Sequence, residues 1–211
     1  MGNLFNVDSK LFRMLNTAVD GFFLGILWLV CCLPIITVGS ASAAFYYAFN
    51  KSIIQEKGYP VKEFFHGFKA NFKQATILWL IQLALFVILA FNIYILTANI
   101  LPIGLFAPFL LVVSALILAL TFLWSLSTFP YLSRFQNTLK AGIKTSLILT
   151  VANILWSVLL AALFAGALFL FFRVPILSLF SPALYMFCAN VILERIFRKY
   201  ISPEDWEAQF E

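Results

Sequence analysis

Few residues in this 211-residue chain could do chemistry, and their spacing restricts what that chemistry would be. His66 is the single histidine, and it falls among Lys62, Lys69 and Lys73. A proton relay or a metal site needs partners at defined spacing, so this placement predicts a solvated face. Cys31, Cys32 and Cys188 lie inside apolar runs, with no CxxC or Cys/His partner at metal spacing. They read as small buried hydrophobes in a reducing compartment. Of nine acidic residues, five come after residue 193, which leaves little carboxylate chemistry for the rest of the chain. There is no P-loop, no Ser–His arrangement and no His paired with a carboxylate at metal spacing. The chain reads as a non-enzyme, with no cofactor and no metal site.

The remaining candidates are polar residues within apolar runs. A charged side chain at a span centre costs about 2.5–3.5 kcal/mol on insertion scales, so it usually has a task. Asp20 is such a residue, about two turns into the first apolar run. If that run folds back near Ile35, Asp20 faces Asn50 and Lys51, which predicts an ion pair or amide contact stapling a helical hairpin. Asp20, Asn50, Lys51, Gln82, Asn92 and Asn153 together form the possible intramembrane polar site. The alternative is that the amides, with Asn99 and Asn190, are interhelical glue, worth about 0.6 kcal/mol each.

These residues must be positioned by elements suited to lipid. The chain is 63% hydrophobic and 11% charged, against about 25% charged in soluble domains, and its mean hydropathy is +0.99. It reads as an all-α membrane protein in one transmembrane helical domain over residues 1–211. The net charge of +5 comes from residues scattered over short loops, which speaks for the positive-inside rule and against nucleic acid. Asp8 and Asp20 interrupt the start, so the first helix is expected to be retained rather than cleaved as a signal.

A span needs about 20 apolar residues. Residues 21–50, 74–133, 145–172 and 174–193 carry no charge. The second run must be two helices with its turn at Asn99–Gly104, and Pro175 fits the first turn of the last helix. The first run becomes two helices if Pro34–Gly39 breaks it. The expectation is a six-span bundle, with spans about 11–33, 38–56, 75–98, 103–130, 146–172 and 175–195, both termini cytoplasmic. Thirteen of the 14 basic residues then lie inside and Arg173 alone outside. Five spans, with the first run a single kinked helix, would put Lys10 and Arg13 outside as well. Whether 38–56 crosses fully stays open.

Residues 62–74 predict an amphipathic membrane-interface helix on the cytoplasmic side. Lys62, His66, Lys69 and Lys73 share one face, and Phe64, Phe65, Phe68 and Phe72 the other. Residues 131–144 echo this pattern, either as a degenerate internal repeat or as a second basic loop.

Leu4–Ser9, Leu15-Asn16, Asp20, Trp28-Leu29, Cys32–Gly39 and Ala44–Tyr47 resemble the start of the YesL family of bacterial integral membrane proteins, a domain of unknown function. Asn71–Thr76 resembles its second signature. The resemblance implies a multi-pass protein of the bacterial cell membrane and an accessory role in carbohydrate uptake, beside the permease subunits of a sugar ABC importer. It supplies no catalytic residue. A different class, an autonomous small-solute transporter or channel, would instead need a polar, water-reachable cavity around Gln82, Asn92 and Asn153.

Overall fold

Backbone in lipid must satisfy its own hydrogen bonds, and long uncharged runs therefore become helices. The computed structural model describes residues 10–98, 104–135, 138–173 and 180–200, and among these the chain is all-α. Helix α1 covers Lys10–Cys32 and is followed by a 3-10 turn, Ile35–Thr37. Helix α2 is Val38–Ala48 and runs into a π turn, Phe49–Ile54. Helix α3 is Pro60–Thr97. A second 3-10 turn, Gly104–Phe106, leads to α4, Ala107–Arg134. Then come α5, Leu139–Ala152, α6, Ile154–Arg173, and α7, Ser181–Phe197.

Four of these helices are long and apolar enough to cross a membrane: α1 over Leu15–Cys32, α3, α4 and α6. The outer surface carries large apolar side chains, with Leu155 82% and Phe172 79% exposed. The interior holds Ser40, Ser125, Thr128, Ser146 and Asn190. A soluble protein distributes these residue types the other way round. The molecule is a membrane-embedded helical protein in contact with the lipid bilayer.

The small residues of α2 account for its central place. Ala41, Ala43 and Ala44 are fully buried. A Cβ on Gly39 would stand 2.6 Å from the Ala75 carbonyl oxygen and 2.6 Å from Trp79 Cβ. Only glycine lets α2 approach α3 there, as in other close-packed membrane helices. The Pro34–Gly39 segment does turn the chain. Thr37 Oγ1 donates to the carbonyls of Cys31 at 2.6 Å and Pro34 at 2.8 Å, satisfying groups that the end of α1 leaves open. Trp28 Nε1 then donates to Ser42 Oγ at 3.2 Å across the hairpin. Gly58, at φ +80, takes the left-handed conformation in the turn from the π segment to α3.

The structure differs from the sequence reading in three places. First, residues 62–74 are not a separate helix before a span. They are the first part of α3, a 38-residue helix about 57 Å long against a hydrocarbon core of about 30 Å. Second, the helix expected at 146–172 begins at Leu139 and breaks at Asn153, with φ −119 and ψ 43. Ser157 Oγ lies 3.2 Å from the Thr150 carbonyl and 3.3 Å from that of Asn153, satisfying the opened turn. Third, 131–144 is the end of α4 followed by the start of α5, so it does not repeat 62–74. Pro175 and most of the Asn99–Gly104 turn lie outside the described residues.

Candidate functional site

Three helix ends meet in a buried polar cluster. Tyr46 and Asn50 come from α2 and its π turn, Arg134 ends α4, and Asn190 and Glu194 lie on the second half of α7. Glu194 Oε1 accepts from Arg134 Nη1 at 2.9 Å, from Asn50 Nδ2 at 2.8 Å and from Tyr46 Oη at 2.9 Å. Asn50 Oδ1 accepts from Arg134 Nη1 at 3.1 Å and from Gln55 Nε2. Asn50 Nδ2 also lies 3.3 Å from Asn190 Oδ1. Tyr46, Asn50 and Asn190 are buried, and the Arg134 side chain is only 8% exposed.

The π turn shapes this cluster. It holds one extra residue per turn, so the Gln55 N–H bonds the Asn50 carbonyl at 3.0 Å while their side chains also meet. Asn50 thereby reaches α4 and α7 together. A charge removed from water needs a partner and hydrogen bonds, and the carboxylate of Glu194 has both. The cluster contains no activated nucleophile. What it does is tie the ends of α2, α4 and α7 into one unit. Beside it, Lys51 Nζ binds Glu63 Oε2 at 2.9 Å and Tyr47 Oη at 3.2 Å, joining the π turn to the start of α3.

The six residues of the expected intramembrane site do not come together. Asn50 is engaged by Glu194, Arg134 and Asn190, and Lys51 by Glu63 and Tyr47, the bonds that the described residues show for them in place of one to Asp20. Gln82 is fully buried and donates to Thr128 at 3.3 Å, linking α3 to α4. Asn92 is exposed and accepts from Ser114 Oγ at 3.2 Å. Asn153 stands at the α5–α6 break and donates to the Leu149 carbonyl and to Tyr200 Oη, each at 3.1 Å. These amides join helices at scattered positions.

The expected interface residues divide along α3. Lys62, Lys69 and Lys73 are exposed, as is His66. Phe64 is fully buried and Phe68 packs against the same core, whereas Phe65 is 44% and Phe72 41% exposed. One ring of the four is fully buried and a second packs on the same core, so the face is not a uniform lipid anchor.

Between α1, α2, α3, α4, α6 and α7 lies a chamber of about 350 Å³. Its wall is dominated by rings, among them Trp28, Phe45, Trp79, Phe129 and Tyr185. Gln82, Asn92 and Asn153 are not in that wall. Among the described residues no three His, Cys, Asp or Glu side chains gather as a metal group.

Sequence reasoning missed Arg134 and Glu194 as partners and gave Tyr46 no role beyond its place in the family resemblance. The available signal was Asn50 and Asn190, two amides in apolar surroundings that have to find partners. Residues 22–93, from α1 through the π turn and most of α3, match the family model described as "Protein of unknown function, DUF624". No curated protein and no solved structure matches the chain.

Proposed function

We propose that this chain is a multi-pass protein of the bacterial cell membrane that transports nothing itself and catalyses no reaction. On this reading it is an accessory subunit in carbohydrate uptake, working beside the permease subunits of a sugar ABC importer. The sugar and the permease come from the resemblance to the YesL family. The observation that carries the non-transporting role is the fate of the polar side chains. Gln82, Asn92 and Asn153 each bond a neighbouring helix or their own backbone. The large chamber has an apolar, aromatic wall, which offers a sugar almost no hydrogen bonds to replace its water. A transport path for a small polar solute needs the opposite lining.

The test uses the full chain, tagged and extracted from its native membrane in mild detergent after crosslinking. The expected result is recovery of an ABC permease together with the chain, and no sugar flux when the chain alone is placed in proteoliposomes. Flux by the purified chain would overturn the reading, as would recovery without any permease after crosslinking.

A further inference from the structure

The aromatic chamber is closed to water by its chemistry. Three polar side chains of its wall are already engaged within the protein, which leaves the lining almost wholly apolar. Trp28 Nε1 donates to Ser42 Oγ at 3.2 Å. Trp79 Nε1 donates to the Ile35 carbonyl at 2.6 Å. Ser125 Oγ donates to the Phe122 carbonyl at 2.7 Å. What the wall presents inward is ring and aliphatic surface. An apolar cavity of this kind stays dry, and 350 Å³ is far more than a packing defect. Its size falls within the range of ligand sites.

The chamber has length and a way in. Along α7 its wall runs from Ser181 to Leu193, about 18 Å at the rise of an α-helix. At the end of α6, Leu168 is 42% and Phe172 79% exposed, although both belong to the wall. The chamber therefore opens there on the surrounding bilayer. The next residue is Arg173, exposed, its guanidinium 5.8 Å over the Phe169 ring. Arg173 stands at the end of the molecule away from the other described basic residues, which cluster with Lys51, Arg134 and Arg195 at the opposite helix ends.

We propose that the chamber binds one acyl chain of an anionic membrane phospholipid, with the lipid phosphate held by Arg173 at the mouth. An elongated apolar slot open to the bilayer, with a cation at its opening, is complementary to an amphiphile carrying negative charge at one end. The apolar wall supplies the binding and Arg173 the choice of headgroup. This inference does not depend on any permease partner.

The experiment reconstitutes the full chain in phosphatidylcholine bilayers containing a small fraction of lipid brominated in its acyl chains, either phosphatidylglycerol or phosphatidylcholine. Bromine quenches tryptophan fluorescence at contact, and Trp28 and Trp79 line the chamber. Brominated phosphatidylglycerol should quench at about a fivefold lower mole fraction than brominated phosphatidylcholine, the ratio expected for one favourable phosphate contact. A chain with Trp28→Phe and Trp79→Phe should lose that component. Ala167→Phe, which places a ring in the chamber, should abolish it, and Arg173→Gln on the exposed end of α6 should erase only the headgroup preference. Equal quenching by the two lipids in the unaltered chain would overturn the proposal. So would an unchanged preference in Arg173→Gln, a surface variant that leaves the packing untouched.

Discussion

At the scale of residues, the cluster around Glu194 sets the conditions for the fold's stability. Arg134 and Glu194 have side chains only 8% and 17% exposed, and they pair with one another at 2.9 Å. Removing one partner leaves the other charge buried and uncompensated, which costs about 3–5 kcal/mol, whereas removing both together is often close to neutral. Arg134→Met alone and Glu194→Leu alone should therefore each lower the detergent unfolding midpoint strongly, and the double variant should recover most of the loss. A double variant no more stable than the worse single one would show that the pair does not act as a unit. Little of this cluster was legible in the sequence. Tyr46 and Glu194 are 148 residues apart, and no local period encodes such a meeting. The positive-inside rule counts Arg134 as a loop charge because it reads position along the chain, while burial depends on which way the last turn of α4 faces.

At the scale of elements, composition and breakers located α1, α4 and the turn at Pro34, because lipid leaves an apolar run no alternative to helix. The extent of α3 and the break at Asn153 were not legible. An amphipathic pattern records only that one face is apolar, and both the bilayer interior and the protein core satisfy it. Phe64 went to the core, while Phe65 stayed 44% exposed. The break at Asn153 contains neither Pro nor Gly. There an amide side chain bonds the Leu149 carbonyl and Tyr200 in place of the regular helix pattern. The division within α3 has a direct consequence. Phe64→Ala should destabilise by about 3–5 kcal/mol, the cost of emptying a fully packed aromatic position. Phe65→Ala should cost well under half of that, as read by unfolding in the same detergent. Equal losses would mean that the whole aromatic face, and not Phe64 alone, is seated on protein.

At the scale of the whole molecule, the pairing of helices bears on topology. Trp28 meets Ser42, and a Cβ on Gly21 would lie 3.8 Å from Ile53 Cδ1, so α2 runs back along α1. Gly39 faces Trp79 and Lys51 meets Glu63, so α3 runs back along α2. Gln82 meets Thr128 and Asn92 meets Ser114, which makes α4 antiparallel to α3. Phe164 packs on Tyr185 and Arg195 lies over Trp156, which does the same for α6 and α7. The two short members, Val38–Ile54 and Ser181–Phe197, fall below the length of a comfortable span, at about 25 Å each against about 30 Å. Even so, α1 and α3 point the same way, so the chain has to return between them, and α2 is the segment available for that return. A full crossing by α2 would give an even number of crossings and put both termini on one side. On that path the positive-inside rule would choose the side, since 13 of the 14 basic residues would then face the cytoplasm. Reporter fusions at Glu211 and near Pro102 should accordingly give opposite signals, cytoplasmic for the first and extracytoplasmic for the second. A cytoplasmic signal at Glu211 with an extracytoplasmic one at the N-terminus would replace the six-pass path with five, and would require α2 to enter and leave from the same face of the membrane.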